Sequence, residues 1–177
     1  MQRELSIGKI VFALVIGLYL LKCILDPASY HFIDSINLIF HEAGHAILSF
    51  LGDLGTATAG SLFQVIIPAL CGIYFLARRE YYSAVIVFMW MGESLVNVSI
   101  YVGDAIAMKL PLLGDEATHD WNYALSVTGL ISYTSLIARS IYISGAVIFA
   151  ISALLSLKLS YGVPKAAATP KYDWMAK

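Results

Sequence analysis

The chain has 177 residues, of which 59% are hydrophobic and only 13% charged, with a formal net charge of −1. A water-soluble domain averages about 25% charged residues, so this chain has too little polar surface to cover a globule in water, and the bilayer is its natural solvent. The length suits one domain, and with no basic run nucleic acid is excluded as a partner.

The first apolar segment runs from Ile7 to Leu25. Arg3 and Lys9 precede the run Ile10 to Leu21 as in a secretory signal, but no A-x-A cleavage site follows; the chain continues Asp26-Pro27-Ala28-Ser29. A retained membrane helix is expected, stopped by Asp26-Pro27, with Lys22 able to snorkel. His31, in the loop that follows, reads as an ordinary surface residue. The second segment, Ser35 to Leu51, is about 17 residues long, the lower limit for a span. Gly52 to Gly60 reads as a flexible linker of small residues. The third segment, Ser61 to Ala77, is interrupted by Pro68 and closed by Arg78-Arg79-Glu80; the fourth starts at Tyr81 and continues to about Met108, before Lys109-Leu110-Pro111. A polar stretch, Gly114 to Asn122, leads into a short helix, Tyr123 to Val127, that Thr118 is placed to cap. The last apolar segment runs from about Tyr133 to Leu157, with Arg139 near its start. Residues 1–159 form a single transmembrane domain in this reading, and 160–177 a solvated, flexible C-terminal tail.

These runs are too long for single strands. Only helices and closed barrels can span lipid, and a barrel needs short alternating segments. The expected fold is all-α: a polytopic transmembrane helical bundle of four to five spans. If the second segment dips into the bilayer without crossing, Arg3, Lys9, Arg78, Arg79 and the lysines of the tail share the cytoplasmic face; if it crosses, the two termini lie on opposite sides. A bacterial-type inner membrane or a plasma membrane is the expected location, with lipids as neighbours. Cys23 and Cys71 lie in apolar runs with no CxxC spacing and read as buried thiols.

The second segment contains His41-Glu42-Ala43-Gly44-His45. Two histidines four apart share one face of a helix, so their imidazoles can bind one tetrahedral zinc. The glutamate beside the first histidine can reach the water that the metal polarises and act as its general base. The plainer alternative is a histidine pair that only hydrogen-bonds within the bundle. Burying three polar side chains in a membrane segment is costly and calls for metal, partners or water. A structural zinc site normally uses cysteines and has no need of Glu42.

The run Ile39-Phe40-His41-Glu42-Ala43-Gly44-His45-Ala46, in an apolar helix of a multi-span chain, resembles the site-2-protease-like membrane metallopeptidases. The resemblance implies a zinc-dependent protease that cleaves transmembrane or membrane-near substrates, with the HExxH helix in the core of the bundle. It also implies a distant aspartate, in an LDG or NPDG setting, as third zinc ligand. Neither tripeptide nor tetrapeptide occurs here, and Gly103-Asp104 and Gly114-Asp115 match only in part.

The third ligand has therefore to be argued from local chemistry. His119 is the first candidate, because imidazole commonly completes hydrolytic zinc sites; a solvated loop histidine is the alternative. Asp120 is a second candidate, or an orienting partner for His119. Glu93, Asn97 and Asp104 fall within about 40° of one another on a 3.6-residue period. They form a polar stripe, which Gln64 can join, facing either a wet pocket with Asp104 as an alternative ligand or an inter-helix hydrogen-bond network. Asn97 is also a candidate oxyanion donor. Two functions follow: a zinc metalloprotease using Glu42 as base, or a non-catalytic membrane subunit that binds protein partners on a protease-like scaffold.

Overall fold

The computed structural model describes residues 3–111 and 119–164. Strand β1 (Arg3–Leu5) leads into helix α1 (Ile7–Leu25). Helices α2 (Phe32–Leu48) and α3 (Gly52–Ala77) are joined by a single 3-10 turn, Ser49–Leu51. Then come α4 (Tyr81–Gly103), the short α5 (Asp120–Val127), α6 (Thr134–Leu159) and strand β2 (Tyr161–Pro164). Four segments are long and apolar enough to cross a membrane: Ile7–Leu25, Phe32–Ala77, Tyr81–Gly103 and Ile131–Leu159. The fold is a helical bundle of the transmembrane kind.

The burial pattern is inverted relative to a water-soluble bundle. On α6, Ile143, Val147, Ile151 and Leu154 form an uncovered apolar stripe, while Ser152 and Ser156 are buried; Asn37, Gln64, Glu93 and Ser94 are each at most 3% exposed. Lipid satisfies the apolar stripe, and the polar groups turn inward to one another, since hydrocarbon offers them no partner. Helix α4 is central. Against it pack Leu20 and Ile24 of α1 and Phe149 of α6, around Met89 and Val96. Gly92 and Gly145 let α4 and α6 meet backbone to backbone: a Cβ on Gly92 would lie 2.7 Å from the Gly145 carbonyl oxygen. Small residues permit this approach, and dispersion then holds the pair where lipid supplies no hydrophobic drive.

The two chain ends are tied together. β1 pairs antiparallel with β2, Arg3 opposite Pro164, and the Ser6 N–H donates to the Ser160 carbonyl at 3.1 Å. The expected tail is thus anchored at its start, and residues 165–177 lie outside the described residues. Paired ends require an even number of crossings. Helix α1 runs parallel to α4, with the Tyr82 hydroxyl donating to the Lys9 carbonyl at 2.6 Å. Helix α3 runs against α4, Gly72 facing Phe88 and Gln64 facing Asn97. So α3 begins at the end of the bundle where α1 finishes, and α2 packs antiparallel to its first half, Gly44 against Ala59 and His45 against Thr56.

The stretch expected to be a flexible linker, Gly52 to Gly60, is instead the first third of α3. Its small residues are there to be packed. A Cβ on Gly44 would collide with the Ala59 carbonyl oxygen and lie 2.6 Å from Phe63 Cβ, so α2 and α3 touch at their backbones. Helix propensity alone disfavours three glycines and two threonines, and tertiary packing overrides it. The fourth apolar run also ends sooner than expected, at Gly103 rather than Met108. The next five residues turn, with Met108 at φ 48°.

Candidate metal centre

The site is built on one face of α2. Asp34, Asn37, His41 and His45 follow at helical spacing, and the first two register that face against the bundle. Asn37 donates to Glu93 Oε2 at 3.0 Å, while its oxygen accepts from Trp90 Nε1 at 2.9 Å and Ser94 Oγ at 3.1 Å. Asp34 accepts from Asn97 Nδ2 at 2.9 Å and from the His31 N–H at 2.6 Å. Asn97 in turn accepts from Gln64 Nε2 at 2.8 Å. Every polar atom named here has a partner, as a buried polar network requires. The stripe at Glu93 and Asn97 is therefore an inter-helix network, and Asn97 also lines the cavity described below. Of the two N–H groups of the Asn97 amide, one goes to Asp34. His31, expected as a plain surface residue, closes the entry to α2 and places its ring Nε2 2.9 Å from the Asp26 carbonyl.

Helix α2 is continuous through the motif. His41 Nε2 lies 3.3 Å and His45 Nε2 3.2 Å from Asp120 Oδ2. Among the described residues these three side chains form the group able to hold a metal ion, their donor atoms all within 4.8 Å of one another. Asp120 opens α5, and His41 is 79 residues away in the chain. His45 Nδ1 lies 2.8 Å from the Thr56 carbonyl oxygen. A carbonyl can only accept, so Nδ1 carries the proton and Nε2 of the neutral ring offers its lone pair to the site. Gly60 supplies the room: a Cβ there would stand 2.5 Å from Nε2 of both histidines.

No family model, characterised protein or solved structure matches this chain. Function has to be read from the side chains themselves.

Glu42 is turned away from protein packing and, with His41 and Tyr101, lines a cavity of about 460 Å³. The wall of that cavity also includes Asp34, Gln64 and Asn97, and Pro27, Tyr30 and Pro111 from the loops at the same end of the bundle. A general base candidate and one of the three donor residues, His41, therefore share one space.

His119, expected as third ligand, is not in the donor group. It is the residue before α5, and its Nδ1 accepts the Asn122 N–H at 3.2 Å, so His119 caps this helix; residues 112–118, with Gly114-Asp115 and Thr118, lie outside the described residues. Its Nε2 faces Asp104 Oδ2 at 3.4 Å, long for a hydrogen bond, and finds no better partner. Asp104, the alternative ligand, is likewise directed elsewhere: it accepts the Lys109 and Leu110 N–H groups at 3.0 and 2.9 Å. Burial works against its charge, but those two backbone donors together with His119 prevail and hold its carboxyl below the usual carboxylate range.

Sequence reasoning missed Tyr101. Its hydroxyl donates to Asp120 Oδ2 at 3.2 Å and accepts the Asp120 N–H at 3.3 Å. Its ring packs against His41 and His119, at centroid distances of 5.7 and 4.5 Å. A signal existed, since Tyr101 continues the Glu93–Asn97 stripe by one more helical turn. Trp121, which donates from Nε1 to Ser61 Oγ at 2.9 Å, carried no such signal.

Proposed function

We propose that this chain is a membrane-embedded zinc metalloprotease that hydrolyses peptide bonds in or near the bilayer. One observation carries the reading: two imidazole nitrogens and one carboxylate oxygen converge beside a cavity that Glu42 also lines. A tetrahedral zinc with bonds of ~2.0–2.1 Å separates its ligand atoms by roughly 3.3–3.4 Å. The Nε2-to-Oδ2 separations of 3.3 and 3.2 Å fit that edge length. Three protein donors would leave one position of a tetrahedral zinc open, as in a catalytic rather than a structural site. Zinc bound there supplies a Lewis acid and activates water for attack on a carbonyl. Glu42 would take the proton from that water and return it to the leaving amine. The donor set of two histidines and a distant aspartate is also what the resemblance to site-2-protease-like enzymes would ask for, with Asp120 as the aspartate.

Metal analysis of the purified, detergent-solubilised chain tests this. Wild type is expected to hold one zinc per chain and Asp120→Ala to lose it. A wild type that stays metal-free in micromolar zinc would sink the proposal. A wild type that holds zinc but cleaves no member of a broad panel of transmembrane substrates would favour the non-catalytic subunit instead.

The same reading includes an orientation. Lys9, Arg78, Arg79 and Lys158 belong to the end of the bundle where the chain ends pair, and the metal centre lies toward the other end. Cationic residues favour the cytoplasmic face, so the centre faces the opposite side of an inner or plasma-type membrane. In a Cys23→Ala, Cys71→Ala background, Ser29→Cys should react with an impermeant maleimide added to intact cells, and Arg79→Cys should react only after permeabilisation. The reverse pattern, or labelling of both from outside, would reject this orientation.

A further inference from the structure

We propose that Tyr101 and His119, backed by Asp104, form a clamp that holds Asp120 in position for the metal. They are positioning residues and not ligands. The inference rests on the metal-centre reading above and extends it to side chains beyond the donor group.

Tyr101 grips residue 120 twice. Its hydroxyl donates to Oδ2, the same oxygen that faces both histidines, and accepts the Asp120 backbone N–H. One hydroxyl therefore sets both where the residue sits and how its carboxylate is turned. His119 controls the other side. It is 3% exposed, and a ring nitrogen that accepts a hydrogen bond carries no proton. With Nδ1 accepting from Asn122 N–H, the neutral ring has its proton on Nε2, aimed at the Asp104 carboxylate. Nδ1 is committed to the helix cap and Nε2 is turned toward Asp104, 3.4 Å away, so neither nitrogen belongs to the donor group. Asp104 is itself fixed by the turn that follows α4. Tyr101 lies in the last turn of α4 and Asp104 is its C-cap, so a single helix end anchors both arms of the clamp. Asn122 adds a tie to the same turn by donating from Nδ2 to the Ala105 carbonyl at 2.8 Å.

Such outer contacts typically contribute 10–100-fold to metal affinity by fixing ligand orientation. The test uses Co²⁺ as the probe, titrated into the full chain in detergent, with affinity and the visible absorption spectrum of the bound ion as readouts. Tyr101→Phe and His119→Ala should each weaken Co²⁺ binding about 10–100-fold and alter the spectrum. Asp120→Ala should weaken it further. His119→Asn, whose side-chain oxygen can still cap α5, should recover most of the affinity lost in His119→Ala. Wild-type affinity and spectrum in both Tyr101→Phe and His119→Ala would overturn the clamp and leave the metal centre standing. A His119→Ala loss as complete as that of Asp120→Ala, without rescue by His119→Asn, would make His119 a ligand and also overturn it. A wild type that binds no Co²⁺ overturns the metal reading and the clamp with it.

Discussion

Replacing Glu42 with glutamine is expected to leave the bound zinc in place and to lower peptide hydrolysis by about 10²–10⁴-fold. His41→Ala is expected to lose the metal itself. The two residues are adjacent in sequence but do different work. His41 Nε2 is one of three converging donor atoms, so alanine removes a coordination bond. Glu42 is outside that group and lines the cavity beside it. Glutamine keeps the shape of the side chain and can still hydrogen-bond a water, but it cannot take its proton. The check is a paired measurement of zinc content and of cleavage of a model transmembrane substrate in wild type and both variants. Cleavage at the wild-type rate by Glu42→Gln would remove Glu42 from the role of base. Loss of zinc from the same variant would mean that the carboxylate contributes to the metal site directly.

The second large effect is expected at a residue with no functional atoms. Gly60→Ala should lower zinc affinity by about 10²-fold or more, because a misplacement of ~1 Å is enough to cost that much at a reacting centre. A Cβ at this position would stand 2.5 Å from Nε2 of His41 and of His45, and 2.6 Å from His41 Cδ2. It cannot be accommodated without moving the rings that supply two of the three donors. Helix propensity pulls the other way, since alanine in a helix interior is favoured over glycine by about 1 kcal/mol. Thermal unfolding should therefore show a fold that is retained while the metal is lost. Gly8→Ala is the control: nothing lies within 4 Å of its Cβ, and zinc binding should be unchanged. Wild-type zinc affinity in Gly60→Ala would mean that the two imidazoles do not point at α3 as described.

Much of the bundle is legible along the chain. The apolar run Ile7 to Leu25 is the helix α1 residue for residue, and the starts and ends of α4 and α6 differ from the apolar runs by a few residues at most. The reason is that lipid-facing helices have to be long and apolar, which local composition records directly. The linker reading of Gly52 to Gly60 failed because glycine and threonine carry two meanings. In water they mark flexibility; between membrane helices they mark close packing. Thr56 and Gly60 have partners on α2, His45 and the histidine rings, and nothing local distinguishes that case from a loop. The polar stripe on α4 was readable as a face, but its split into two jobs was not. Glu93 and Asn97 meet α2 and α3, while Asp104, the C-cap of α4, meets backbone N–H groups and faces His119.

The sequence by itself determined an all-helical membrane bundle, the common face of His41 and His45, and the adjacency of Glu42 to them. All of these follow from periodicity within a few residues of chain, where helix geometry leaves no choice. The tertiary structure alone decided that Asp120 and not His119 joins the two histidines, that the Tyr101 hydroxyl bonds its carboxylate, and that α2 packs antiparallel to the start of α3. Asp120 meets His41 across 79 residues, and which of two neighbouring side chains arrives depends on how α5 is capped and anchored. His119 caps its own helix and turns its other nitrogen toward Asp104, while the next residue, held by the Tyr101 hydroxyl, faces the two imidazoles.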